Sequence, residues 1–177
     1  MKGFERKNPY LSLCGLNCKL CPMQLSGHCG GCGFGNQDCP ITRCRMERGG
    51  YEYCIECPEY PCSKYDHVDD YDSFITHLNQ KRDLEKLQRI GEEAYIQEQQ
   101  EKRQILDRLL ADYNDGRKKT LFCLAVNLMD LQMLKEIIAQ ADSEFKELPI
   151  KERSSAIAQL IKNRSDVELK LRKKPKE

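Results

Sequence analysis

The residues of this 177-residue chain best suited to chemistry are its cysteines. There are eleven, and ten lie between Cys14 and Cys62. Their order is Cys14-x3-Cys18-x2-Cys21-x7-Cys29-x2-Cys32-x6-Cys39-x4-Cys44-x9-Cys54-x2-Cys57-x4-Cys62. Three pairs are Cys-x-x-Cys: Cys18/Cys21, Cys29/Cys32 and Cys54/Cys57. That spacing lets one tight turn aim two thiolates at a single ion, about 2.3 Å from each sulfur. The glycines of Cys29-Gly30-Gly31-Cys32-Gly33 let backbone N–H groups approach the sulfurs and offset part of their charge. Three pairs and four single cysteines supply two four-cysteine sites with two thiols over, or one iron–sulfur site and one zinc site. Spacing does not say which eight ligate, or whether the sites are sequential or interleaved. Cys14 and Cys44 are the least constrained pair, and His28, beside Cys29, is an alternative ligand.

Rival thiol chemistries fit less well. Structural disulfides need an oxidising compartment, and the opening MKGFERKNPY has no apolar stretch of the kind a secretory signal carries. A thioredoxin-type Cys-x-x-Cys expects a βαβ setting, whereas Gly and Pro punctuate this region as loops. Cys14-x3-Cys18-x2-Cys21 has the spacing of the radical S-adenosylmethionine cluster motif. Leu20 stands where those enzymes usually carry an aromatic, and no partial barrel is suggested downstream. Metal is left, with zinc, as two ions, the expected cofactor. An iron–sulfur cluster is the alternative, because Cys21-Pro22, Cys39-Pro40 and Cys57-Pro58 echo the proline that follows a ligand in ferredoxins.

The elements that must position these thiols differ between two halves. Residues 1–71 hold ten Leu, Ile, Val or Phe, whereas residues 72–177 hold 29. A segment as poor in apolar volume as the first needs staples, here metal. The sequence therefore predicts a mainly α protein, with a loop-rich cysteine-ligated metal-binding module over 1–71 and a helical domain of four to five helices over 72–177. The boundary falls in the acidic run Asp66, Asp69, Asp70, Asp72. Phe74, Leu78, Leu84, Leu87 and Ile90 repeat at a helical 3–4 spacing that places His77 on a polar helix face. Glu92–Tyr113 continues as helix, with its polar middle, residues 98–102, expected in solvent and supported by a Glu98–Lys102 pair. Asn114-Asp115-Gly116 is a stop. Thr120–Met129 is apolar nearly all round and so is expected to be buried, with Cys123 a small core residue. Asp130 is placed to cap the next helix, Pro149 to open the last, and Ile150, Ile157, Ile161, Glu168 and Leu171 to run along it. The charged end, 171–177, is expected to fray.

With the cysteines read, the chain resembles a prokaryotic cysteine-rich family grouped as a domain of unknown function and held to bind zinc. The residues that carry the resemblance are Cys14-Gly15-Leu16-Asn17-Cys18-Lys19-Leu20-Cys21-Pro22, Cys29-Gly30-Gly31-Cys32 and Cys54-Ile55-Glu56-Cys57-Pro58-Glu59-Tyr60-Pro61-Cys62. Downstream, Tyr113-Asn114-Asp115-Gly116-Arg117-Lys118 and Phe122–Leu128 also fit the longer members. The resemblance implies metal binding for these cysteines and no activity.

No nucleophile–base pair, phosphate loop or paired-carboxylate motif stands out, so no catalytic residue is assigned and an enzyme is the less favoured reading. The favoured one is a metal-held structural module that meets a protein partner, with Asn127 and Arg117 as candidates to brace the metal module. A redox or cluster-handling protein is the second, motivated by the surplus thiols. Nucleic-acid binding is the third: Arg43, Arg45 and Arg48 lie near Tyr51, Tyr53, Tyr60 and Tyr65, yet residues 1–71 carry eight basic against nine acidic side chains. The net charge of +1 gives no global pull toward nucleic acid or anionic lipid. No apolar run is long enough to span a membrane, and the expected location is the cytoplasm.

Overall fold

The structure, a computed structural model, describes residues 3–34 and 39–174. It is mainly helical, with seven α-helices and no named strand among the described residues. They are α1 (Pro22–Leu25), α2 (Pro40–Glu47), α3 (Gln80–Ile90), α4 (Glu92–Asp112), α5 (Lys119–Leu128), α6 (Leu131–Glu144) and α7 (Ile150–Arg164). Single 3₁₀ turns lie at Cys18–Leu20, Cys54–Glu56 and Ser63–Tyr65. No described helix is long and apolar enough to cross a membrane. The chain divides into two compact units, Met1–Gln99 with Leu171–Glu177, and Gln100–Lys170. The compositional boundary at 71/72 thus lies inside the first unit.

The second unit is an ordinary helical core. Phe122 to Asn127 are all buried in α5, including Cys123 at 3 % exposure. Leu106, Leu109, Leu134, Ile137, Ile157 and Ile161 complete the apolar interior. Asp130 caps α6 by accepting from Gln132 N–H at 2.8 Å. Gly116, with φ +91°, ends the turn after α4 as its position suggests. Pro149 is the N-cap of α7, one residue ahead of the expected place.

Four expectations are corrected. Residues 73–79 are not helical. The Asp72 carboxylate accepts from the His77 N–H at 2.7 Å and from Thr76 Oγ at 3.5 Å, so a side chain takes the bonds a helix would use. Phe74 and Leu78 consequently sit outside, at 65 % and 41 % exposure, and His77 is a loop residue bonded to Ser73 Oγ and the Val68 carbonyl. The polar middle of α4 is not a solvated face. Gln99 and Lys102 are buried, Lys102 Nζ donates to the Met129 carbonyl that closes α5 at 2.9 Å, and Glu98 pairs with Lys86 at 2.6 Å. A cation at a helix C-terminus satisfies an otherwise orphan carbonyl. The last helix stops at Arg164, leaving Glu168 and Leu171 beyond it. Finally, the chain end is pinned rather than frayed up to Lys174; residues 175–177 lie outside the described residues.

That pin is Asp72–Arg172. Arg172 N and Nη2 both reach the Asp72 carboxylate at 2.8 Å, and Asp72 N–H returns a bond to the Arg172 carbonyl. The Asp72 side chain is wholly buried. Burial pushes its carboxyl up, but the bonds from Arg172 and from His77 N–H bring it below the usual carboxylate range. Its stabilising contribution is therefore full above the unfolded value of about 4 and is lost as pH falls through the lower folded value. Asp72→Asn is expected to cost about 3 kcal/mol at neutral pH. Urea midpoints should show the gap between variant and wild type closing in acid; a gap of constant size would refute the charge account.

Candidate metal centre

The ten clustered cysteines all belong to the first unit. One buried cluster of this unit is Leu11, Tyr53, Tyr65, Leu84, Leu87 and Tyr95, with Cys14, Cys54 and Cys62 among the residues packed against it, and Phe4, Leu13, Leu20 and Ile75 are buried in the unit as well. Half of that cluster is tyrosine, and each phenol has a partner. Tyr53 OH donates to Glu92 Oε1 at 2.6 Å, Tyr95 OH to Asn17 Oδ1 at 2.9 Å, and Tyr65 OH to the Cys14 carbonyl at 3.2 Å. These bonds tie the cysteine loops to residues 39 or more positions away, as does Asn17 Nδ2 to Asp83 Oδ2 at 2.7 Å.

Local turns then set the thiols. Both Cys18/Cys21 and Cys54/Cys57 are closed by the same 3₁₀ bond, from the second cysteine's N–H to the first's carbonyl, at 3.1 Å and 3.0 Å. Cys21 and Cys39 each serve as the N-cap residue before a proline at the first helical position, at α1 and α2. The Cys-Pro dipeptides at 21–22 and 39–40 thus have a helix-starting role in this fold. In Cys29-Gly30-Gly31-Cys32, a Cβ on Gly30 would fall 1.5 Å from the Phe34 carbonyl oxygen. Gly31 has φ +95° and its N–H points at Cys29 Sγ, 3.4 Å away.

The thiols separate into two groups. Cys44, Cys54, Cys57 and Cys62 line one cavity of about 40 Å³ with Leu13, Ile41, Tyr60, Tyr65 and the basic side chains Arg45, Arg48 and Lys64. Cys14, Cys18, Cys21, Cys29, Cys32 and Cys39 line a chamber of about 390 Å³, together with His28, Ser12 and the loop residues Ser73, Phe74 and Ile75. The division is sequential, six then four, and Cys14 and Cys44 each stand within a group. His67 bonds Asp70 in solvent at 2.9 Å. Asn127 Nδ2 donates to the Cys123 carbonyl of its own helix at 2.8 Å.

All eleven cysteines are free thiols, and no three Cys, His, Asp or Glu side chains among the described residues are already arranged as a metal site. The donor set nonetheless suits a soft ion: two pockets lined by cysteine sulfurs, with no carboxylate among the described residues lining either one. Burial raises Cys14 well above the ordinary thiol range, Cys18 to about 12 and Cys54 to about 11. Cys32 is also raised by burial, against bonds from the Leu13 N–H and the nearby Arg6 charge. Buried neutral thiols of this kind ionise when a divalent cation supplies the compensating charge, releasing protons as it binds.

Several residues at the site carry no sequence signal. Arg6 is buried, donates Nη1 to the Glu52 carbonyl at 2.7 Å and stacks 4.8 Å over the Tyr53 ring. Gln80 Nε2 donates to the Cys14 carbonyl at 2.9 Å. The arginines read as a phosphate surface are used locally. Arg45 bonds the Tyr51 and Gly50 carbonyls at 2.8 and 2.9 Å, and Arg48 pairs with Glu59.

No protein-family model, curated protein or solved structure matches this chain.

Proposed function

We propose that this is a thiolate-metal protein whose first unit is held together by zinc and serves as a structural module for a protein partner in the reducing cytoplasm. The observation that carries the reading is the gathering of all ten clustered cysteines into two cysteine-lined pockets, in a chain whose first 71 residues hold only ten Leu, Ile, Val or Phe. Such a unit has little else to close its loops. Cys44, Cys54, Cys57 and Cys62 would hold one ion as a closed four-sulfur site, the arrangement of structural rather than catalytic zinc. The six-thiol chamber would hold the rest. Its greater volume favours a second reading there, an iron–sulfur cluster with an electron-transfer or cluster-handling role.

Elemental analysis and a visible spectrum, on protein purified anaerobically without a metal-affinity tag, test this. Stoichiometric zinc in a colourless protein is the expected result. Iron with acid-labile sulfide and a brown colour would replace the scaffold reading with the redox one. Folded protein free of both metals would end the metal reading altogether.

A further inference from the structure

We infer that the C-terminal segment is a strap that holds one wall of the six-thiol chamber shut, with Arg172 as the residue that fastens it. The inference concerns access from solution to the six thiols. It goes beyond the metal reading and does not depend on it.

The described residues lining the chamber all lie between Ser12 and Cys39, except Ser73, Phe74 and Ile75. One wall therefore comes from a loop that is distant in sequence and belongs to no helix. Within that loop Ile75 and Thr76 are buried, whereas Phe74 is 65 % exposed. Phe74 both lines the chamber and faces solvent, which puts the loop at the chamber's mouth.

The Asp72 carboxylate gives this loop its shape and also grips the strap. Its Oδ1 accepts from the His77 N–H at 2.7 Å and from Arg172 Nη2 at 2.8 Å. Its Oδ2 accepts from the Arg172 N–H at 2.8 Å. Asp72 N–H donates to the Arg172 carbonyl at 2.8 Å, and Arg172 Nη1 donates to the Asp69 carbonyl just before the loop. A further contact of the strap is Lys174 Nζ, 6.0 Å from the centre of the Tyr71 ring, at the outer limit of a cation–π interaction. Residues 171–174 lie in no helix or strand, so side-chain and backbone bonds at Arg172 carry the attachment. Arg172 acts on the chamber through Asp72 and is a positioning residue. Removing the guanidinium leaves a buried carboxylate without its cation. The loop then opens more often, and a thiol behind it meets solvent in proportion to that opening. The other four clustered thiols provide an internal reference. Cys44, Cys54, Cys57 and Cys62 line a cavity to whose described lining the 73–75 loop contributes nothing.

The test is alkylation of the full chain, as purified under reducing conditions, with N-ethylmaleimide. Rates are read cysteine by cysteine from peptide masses in wild type, Arg172→Gln and Arg172→Lys. The quantity that decides is the rate of the six chamber thiols relative to that of the other four. Arg172→Gln should raise this ratio by about tenfold, as the loss of one charge-assisted hydrogen bond would. Arg172→Lys keeps a cation opposite Asp72 and both backbone bonds but not the planar fork, and should raise the ratio by about threefold. A ratio unchanged from wild type would overturn the inference, whether both groups speed up together or neither does. Equal acceleration would mark Arg172 as a general stabiliser, and no acceleration would mean that the loop stays shut without it. If Arg172→Gln does not fold, Arg172→Lys decides on the same ratio.

Discussion

On the proposed zinc reading, a strong chelator is expected to unfold the cysteine-rich unit and leave the helices of Gln100–Lys170 intact. Each structural zinc contributes on the order of 10–16 kcal/mol of apparent binding free energy to folding. That matches or exceeds the whole net stability of a typical domain, about 5–15 kcal/mol. The described loops of the first unit are held by short turn bonds such as Ser12 N–H to the Leu16 carbonyl at 2.8 Å and Cys54 N–H to the Leu13 carbonyl at 2.9 Å. Such turns persist only while something closes the chain around them. The second unit, by contrast, buries Phe122, Leu106, Leu109, Leu134, Ile137 and Ile161 without any clustered cysteine. Hydrogen exchange read by mass spectrometry separates the two. Chelation should erase protection across 11–65 and in α3, whose Leu84 and Leu87 pack into the tyrosine cluster, while α5, α6 and α7 keep theirs. Equal protection with and without chelator would show that the first unit folds on its small core alone. On the same reading, zinc affinity is also expected to fall as pH falls, because burial favours the neutral Cys14 and Cys18 thiols and an ion would have to displace their protons.

Gly15→Ala is expected to destabilise the protein by about 3–5 kcal/mol, near the upper end for a single substitution. Gly15 has φ +98°, and a Cβ there would lie 2.2 Å from the Gln80 carbonyl oxygen and 2.9 Å from Leu84 Cγ. The backbone strain alone costs about 1–2 kcal/mol. The rest comes from a collision with backbone, which no side-chain rotation relieves. Moving α3 away would also break the 2.9 Å bond from Gln80 Nε2 to the Cys14 carbonyl, worth about 1 kcal/mol. Gly27→Ala is the control. Gly27 has φ +73° and open space around its would-be Cβ, so only the strain remains. Denaturant midpoints should separate the two variants by about 2–3 kcal/mol. Equal losses would mean that α3 yields freely at Gly15 and does not fix the Cys14 loop.

Much of the helical part is legible in the sequence because its signals are local. An all-apolar run makes α5 a buried helix, Asp130 meets the first-turn Gln132 N–H of α6, and Gly116 takes the positive φ that ends a turn. Expectations fail where a distant group intervenes. The 3–4 spacing of Phe74 and Leu78 is real, but Asp72 captures the backbone that would have coiled. The polar middle of α4 reads as solvated, yet Lys102 finds the end of α5. The charged tail reads as loose, yet Arg172 meets a carboxylate one hundred residues earlier.

The cysteines divide along the same line. Their spacing by itself marks which pairs share a turn: Cys18/Cys21 and Cys54/Cys57 each close on their own backbone with one 3₁₀ bond, and in Cys29–Cys32 the Gly31 N–H turns back on the Cys29 sulfur. It also marks a segment too poor in apolar side chains to fold by burial. Only the tertiary structure decides that the ten separate six and four, that the Cys29–Cys32 turn lies against Cys18, and that Arg6, Tyr65 and Gln80 stand behind the thiols. Those placements depend on contacts between residues tens of positions apart. They are set by how buried side chains satisfy one another across the unit, which no local spacing encodes.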